Sequence, residues 1–525
     1  MTDPALPDRD RALVPLAVVL GALSAAWLLL GDPSGLALRE FPLDDGWIHQ
    51  VYLRGLVTDG APTYNPGVPE AGFSSALWLL AALPGYFFAA ASRCSFALGA
   101  KLVSGLWGIT AAVYLARVTR RLGGGVWAGR AAVAILYLSP GGAFAAASGM
   151  EVTLALGCTA AGLDAWLARR RWTAGAWLAA ACLARPECAV ALAVVAVAEA
   201  LRPDAGALVP RVAVLLAPAA PGAGLWMLYA LQVTGHPLPN TFYVKALRPD
   251  LGVNLGVLVR DVALGASPVH AAVVSALALW GLGAARARGG MRDAGVVAAV
   301  ALAGVAGVAG SRRLVPGVLF YQQRYFLPFG LLLVPLAALG AEAFARWLAA
   351  RRVPRAEPAV AALLALALAP GMALVRRSYR AHCAEIDAVH TTPAREIAAR
   401  APADVVIGAE GAGAIRFFSG HPVLDLMGLN FTALAHAADN HARTCLLVAS
   451  RPALLALPAE WQGGYAHAFE LRTVRVYTRE HTAMSRRGEA HTVVLDLARP
   501  WPDSAARCAG TPGLPLRGSR SGGGG

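Results

Sequence analysis

Charged side chains are scarce in this chain. They make up 15% of its 525 residues, whereas soluble domains carry about 25%. That shortage excludes an ordinary globular protein, which needs charge to cover its surface. Lysine is nearly missing: of 46 basic residues only Lys101 and Lys245 are lysines. Asparagine occurs at five positions, Asn65, Asn240, Asn254, Asn430 and Asn440. The seven cysteines form no CxxC and no Cys/His spacing, so no zinc motif is present. Glycines at 408, 411 and 413 do not complete a G-x-G-x-x-G loop, and they read as turn and packing residues rather than a nucleotide cradle.

What the chain has instead is apolar surface. Hydrophobic residues reach 57% and the mean hydropathy is +0.53. They come in blocks such as 13–30, 294–310, 327–345 and 358–375, each long enough, at about 17 to 20 residues, to cross a hydrocarbon core. The first block has no distinct small-residue cleavage site, so it reads as a first span and not a removed leader. The net charge is +14. The arginines sit in clusters between apolar blocks, at Arg117/Arg120/Arg121, Arg169–Arg171, Arg286 to Arg292 and Arg346 to Arg355. That is the pattern of cytoplasmic loops, and it argues against nucleic acid as the reason for the charge.

The chain divides in two. Residues 1–375 form the membrane region, with about 11 crossings expected. Residues 376–515 form a small soluble α/β or α+β domain, followed by a low-complexity tail, 516–525. In the soluble part, strands are expected at Val405–Ile407, Cys445–Ala449, Val474–Tyr477 and Val493–Leu497, with a helix at about 393–400. Cys158, Cys182 and Cys188 read as core residues. Two of Cys383, Cys445 and Cys508 can pair if that region is exported, and the sequence leaves the pairing open. With the arginine clusters inside, the polar segments near 148–151, 185–187, 235–245 and 321–325, the loop 32–72 and the soluble domain all emerge on the outer face. One place resists. The stretches 74–91 and 98–116 are two, but parity requires an odd number of crossings there, so one is expected to be a re-entrant or surface helix.

The loop 41–78 carries the chemistry. Asp44 and Asp45 are adjacent, directly after the first span, and His49 follows one helical turn after Asp45. An acid beside a span is costly unless it faces water or a partner, and a carboxylate at the interface can take a proton from a hydroxyl. This acidic pair, the following helix, Asn65-Pro66-Gly67 and Gly72-Phe73-Ser74-Ser75-Ala76-Leu77-Trp78 together resemble the GT-C superfamily of polytopic glycosyltransferases. The likeness is greatest to the bacterial branch that includes the mycobacterial arabinofuranosyltransferases. Further islands match in order: Ser148–Glu151, Ala184–Glu187, Pro239–Lys245, Gln323-Arg324-Tyr325, Gly411–Ile415 and Asp425–Leu429.

The resemblance implies inverting transfer of a sugar from a polyprenyl-phosphate donor, with no nucleotide. It places the general base at Asp44 or Asp45, with Asp44 preferred, and makes Glu151 the candidate second acid. The need for a divalent metal stays open. Substrate-binding candidates are His49, Arg185, Asn240, Tyr243, Lys245, Arg324 and Tyr325. Arg324 offers a fork that matches phosphate oxygens. Lys245 is a lysine kept in a chain that otherwise uses arginine. Structural roles compete: Glu151 as a helix N-terminal acid, Arg185 and Glu187 as internal ion-pair partners, Arg324 as an interfacial anchor, Asp425 as a framework residue. The acceptor expected is an envelope glycan, lipid or protein, on the outer face of a bacterial cytoplasmic membrane. A transporter or flippase of lipid-linked intermediates, or a silent scaffold, is the alternative. No internal repeat favours a transporter.

Overall fold

The computed structural model describes residues 12–202, 207–246, 268–312, 324–480, 490–514 and 516. Within these, five helical segments are long and apolar enough to cross a membrane: Phe96–Arg121, Val269–Ala287, Met291–Gly310, Leu327–Ala350 and Ala356–Arg400. Two bent pairs raise the number to seven. Val126–Leu138 meets Pro140–Ala147 at 70°, because a residue before proline avoids the helical region, and Ser139 then caps the second helix by accepting from the Gly142 N–H. Leu208–Leu216 meets Ala219–Thr234 at 46°. Leu13–Leu29, Ala76–Ser92 and Val152–Leu167 are shorter apolar helices. Small residues let neighbours approach closely, as in other helix pairs in lipid. A Cβ on Gly340 would lie 1.8 Å from the Leu277 carbonyl, and one on Gly281 would lie 2.0 Å from that of Leu336.

The two ends of the bundle carry different ion pairs. At one end, Asp164 accepts from Arg117 at 3.1 Å and also from Arg121. Glu199 binds Arg171 and Arg202 at 2.6 and 3.1 Å. Glu342 binds Arg346 and Arg288 at 3.1 and 3.6 Å. The arginine clusters seen in the sequence therefore gather on buried acids at a single end. At the other end Glu151 binds Arg185 and Asp45 binds Arg324.

Helix Ala76–Ser92 is tied to the first loop on both sides. Before it, the Gly72 N–H donates to Tyr52 in the first loop. After it, Ser95 donates to the Arg39 carbonyl at 2.8 Å, again in the first loop. Both of its ends thus lie against loop 32–72. Lys101 is buried nearly two turns further on and donates to the carbonyls of Ala37 and Glu40, which gives this lysine a structural task.

The last long helix runs without a break through residue 376 to Ile386 and leads, by a short π-helical turn, into Thr392–Arg400. Beyond it lies a five-stranded sheet. In chain order after the small ribbon β1 (Thr63–Asn65) and β2 (Val68–Pro69), its strands are β3 (Ile407–Ala409), β4 (Val423–Asp425), β5 (Leu454–Pro458), β6 (Phe469–Glu480) and β7 (Ala490–Pro500). The order is β4-β3-β5-β7-β6, with β3 parallel to both neighbours and the last pairs antiparallel. The expected strand at Cys445–Ala449 is wrong: it lies inside helix Asn440–Ser450. Asp439 caps that helix on the Ala442 N–H, and Cys445 and Val448 are buried at a three-residue spacing that suits a helix face. Cys445 pairs with Cys508, leaving Cys383 free and buried. The core of this domain is continuous with the first loop: Ile48, Val51, Tyr52 and Tyr64 pack in one cluster with Ile407, Val423 and Leu426.

Candidate active site

Helix Asp45–Thr58 is buried along most of its length, including polar His49 and Gln50. It is wedged against helix Ala412–Ser419. Trp47 fills the gap, its ring 4.8 Å from Phe417 and 4.5 Å from Phe418, and its indole N–H donates to Glu40 at 3.0 Å. Asp44 occupies the N-cap position of its own helix without capping it. Its carboxylate instead caps the facing helix. Oδ2 accepts from the Gly413 N–H at 2.7 Å and Oδ1 from the Ala414 N–H at 2.8 Å. Free N–H groups at a helix start are a natural seat for a carboxylate. The approach requires glycine at 413, because a Cβ there would lie 2.3 Å from the Asp44 carbonyl oxygen and 2.9 Å from Oδ2.

Burial pushes the Asp44 carboxyl up to about 7, the neighbouring charges of Asp45 and Asp425 adding to it, and the two amide bonds pull the other way. No cation balances it among the described residues. Glu410, at the end of β3, is pushed up to about 8 by burial and by the nearby Asp44, Asp425 and Asp45. It therefore holds its proton at neutral pH. Glu410 was not among the candidate site residues of the sequence. Its signal was Gly413, three residues on, where glycine permits close approach of the domain to Asp44.

Asp45 points differently and pairs with Arg324. Arg324 also donates to the Tyr325 hydroxyl at 3.1 Å. The Arg185 guanidinium lies over the Tyr325 ring at 4.5 Å and binds Glu151 at 2.6 Å and Glu187 at 3.5 Å. Glu151 stands at the start of helix Val152–Leu167. His49 is 8% exposed. Burial lowers its pKa, against the carboxylates of Glu151 and Asp45. In this cluster the buried His49 Nδ1 and Glu151 Oε2 have no hydrogen-bond partner among the described residues. Such atoms are few in folded proteins. The structure thus brings together Asp44, Asp45, His49, Glu151, Arg185, Arg324 and Tyr325.

Asn240 and Tyr243 form a second group. Asn240 donates to Glu70 at 3.1 Å and to Thr432 at 3.2 Å, and Thr432 donates to Glu70 at 2.8 Å. Tyr243 lies against His436, ring centroids 4.4 Å apart, and His436 stacks on His236 at 3.5 Å. Lys245 is on helix Asn240–Ala246, but its side chain, like all of Gln323, lies outside the described residues. Two of the other scarce asparagines act alike. Asn65 exchanges two hydrogen bonds with the Val423 backbone. Asn430 joins Tyr52 to Asp425, and Asp425 also accepts backbone N–H groups of Met427 and Asn430. These residues fasten the C-terminal domain to the first loop. Among the described residues no group of three or more His, Cys, Asp or Glu is placed to hold a metal ion. A cavity of about 490 Å³ lies elsewhere, in the C-terminal domain between helix Asn440–Ser450 and Ser504–Cys508.

Residues 379–493 match a family described as a domain of unknown function, DUF8728. Comparison of the sequence with curated proteins gives no match. Solved structures do match. ArnT from Cupriavidus metallidurans aligns with TM-score 0.55 at 15% identity, over 91% of this chain and 97% of its own, and it has also been solved with undecaprenyl phosphate bound. The oligosaccharyltransferase AglB from Archaeoglobus fulgidus, in complex with an inhibitory peptide and a dolichol-phosphate, aligns with TM-score 0.54 at 12% identity, over 94% of this chain and 77% of its own. The arabinofuranosyltransferase AftD from Mycobacteria aligns with TM-score 0.50 at 16% identity, over 92% of this chain and 40% of its own. Asp44 beneath a helix N-terminus, Asp45 and Glu151 paired with arginines, and a bundle of apolar helices thus sit on a known scaffold: the chain shares the fold of these solved structures, the GT-C fold.

Proposed function

We propose that the protein is a membrane glycosyltransferase that moves a sugar from a polyprenyl-phosphate donor to an envelope glycan, lipid or protein. The observation that carries this is the convergence of Asp44 and Asp45 with Arg324, Arg185 and Glu151 at one end of a GT-C fold. Asp44 is the general base. It has no counter-ion among the described residues and titrates near neutrality, where a base works best. It takes the proton of an acceptor hydroxyl, whose oxygen attacks the anomeric carbon from the face opposite the phosphate. The C–O bond to the phosphate breaks as the new glycosidic bond forms, with inversion and no covalent intermediate. Arg324, with Lys245, stabilises the charge that gathers on the departing lipid phosphate. Arg185 and Glu151 hold that end of the site in place, and the unpartnered His49 and Glu151 atoms offer hydrogen bonds to substrate.

Eleven crossings fit the geometry if Ala76–Ser92 stays on the outer side, as its two anchored ends support. The arginine-rich end then faces the cytoplasm. The domain from about residue 376 then lies outside, where a Cys445–Cys508 disulfide persists. The test is transfer from a polyprenyl-phosphate sugar by purified protein, with Asp44→Asn and Asp45→Asn together. Full transfer by that variant would overturn the mechanism. An unchanged envelope glycan profile in cells lacking the protein would overturn the reaction itself.

A further inference from the structure

The arginine-rich end of the bundle holds an opening that the transfer chemistry leaves unused. It is a cavity of about 390 Å³ lined by Arg169, Arg171, Trp172, Pro210, Arg211 and Val214. Three of these six are arginines and none is an acid. Arg169 turns the chain between Val152–Leu167 and Arg171–Ala184, in the left-handed conformation at φ 63°, and its guanidinium makes no hydrogen bond or ion pair among the described residues. Arg171 uses its Nε on Glu199. Arg211 is 8% exposed and donates to the carbonyls of Ala207 and Arg202 at 3.3 and 3.2 Å. A guanidinium has five N–H donors, so each fork keeps donors to spare. The acids described nearby are already engaged: Glu199 by Arg171, Arg202 and the Trp166 indole, Asp164 by Arg117, Arg121 and Arg170, and Asp293 by Arg202.

The rim of the opening is apolar. Trp172 is 59% exposed, and Leu208, Val209, Val214 and Leu216 are exposed at 50, 75, 42 and 39%. Helix Leu208–Leu216 therefore turns Arg211 inward and shows its aliphatic side outward. Tryptophan and arginine at a bundle end mark the headgroup level of a bilayer. A cationic hollow at that level, beside a greasy helix face, matches a molecule with a phosphate head and acyl chains.

We infer that this cavity binds the phosphate headgroup of an anionic membrane phospholipid from the leaflet at that end. The arginine forks hold the phosphate oxygens, and the acyl chains run along the outer face of Leu208–Leu216 next to Trp172. The inference rests on membrane embedding and not on the transfer reaction, since Asp44 lies at the opposite end of the bundle.

The test uses full-length protein in a neutral detergent, with phosphatidylglycerol and phosphatidylcholine as probes in native mass spectrometry and thermal unfolding. Phosphatidylglycerol should bind and raise the unfolding temperature saturably, and phosphatidylcholine should not. Arg169→Gln with Trp172→Ala, two exposed side chains without structural bonds, should weaken phosphatidylglycerol binding by roughly tenfold. Asp44→Asn should bind it like the unaltered protein, which separates this site from the catalytic one. Equal binding of the two lipids, or unchanged binding by the double variant, overturns the inference. So does equal protection by millimolar inorganic phosphate, which would make the hollow a free-anion site. Tighter binding of polyprenyl phosphate at the same residues overturns it too, because the occupant would then be the donor lipid.

Discussion

Asp44 is held by two backbone N–H groups and, among the described residues, faced by no cation, while its neighbour Asp45 is tied to Arg324. Two adjacent carboxylates are thereby given different work. Asp44→Asn should lower the rate of transfer by about a hundred- to ten-thousand-fold, measured as kcat with a polyprenyl-phosphate sugar, with little change in donor binding. Asp45→Asn frees Arg324 and should act mainly on donor KM. The pH dependence follows from the raised Asp44 pKa. A base works only unprotonated, and Asp44 is protonated below about 7. Hence kcat/KM should be level above that pH and fall as pH drops through it, close to tenfold per unit; a profile flat down to pH 5 would sink the assignment. Gly413→Ala drives a Cβ into Asp44 and should cost roughly tenfold or more in kcat without unfolding the protein, because small displacements of a base are costly.

At this scale the sequence told a good deal. The acidic pair stood out because acids are rare beside spans. The amides that hold Asp44 did not, since they come 369 residues later and backbone donors carry no side-chain signal. Lys101 and Lys245 were equally unusual by composition. Lys101 proved to bind the carbonyls of Ala37 and Glu40, so rarity alone did not separate framework from chemistry.

Among the elements, those set by long periodic runs were legible and short ones were not. Helix Thr392–Arg400 and strands β6 and β7 lie where they were expected. Helix Asn440–Ser450 was mistaken for a strand because the apolar run Cys445–Ala449 is too short to show its period. Its Asp439 cap was the overlooked sign. This helix is joined by the Cys445–Cys508 bond to the end of the domain. Cys445→Ser should destabilise that domain by about 2–5 kcal/mol, read as earlier proteolysis of the C-terminal region with rising urea while the helical bundle stays protected.

Over the whole molecule, the arginine clusters correctly announced one end of the bundle, and the buried acids that receive them were hidden among apolar residues. The parity conflict at 74–116 was visible in the sequence, and the proposed topology resolves it at Ala76–Ser92, whose flanking residues Gly72 and Ser95 both bond to the first loop. Cys94 sits just past that helix and is free and partly exposed. In intact cells a membrane-impermeant maleimide should modify it, and Cys94→Ser should abolish the signal. Modification only after permeabilisation would mean that Ala76–Ser92 crosses the membrane after all.

The capping of Asp44 by Gly413 and Ala414 has a consequence in time. A ribosome releases Asp44 long before it makes the two amides that fix it. Until the final span has been inserted and the domain behind it has folded across the membrane, the base has no seat. On the proposed mechanism a half-made or truncated chain is therefore inert toward the lipid-linked donor, and transfer begins only when biosynthesis is finished.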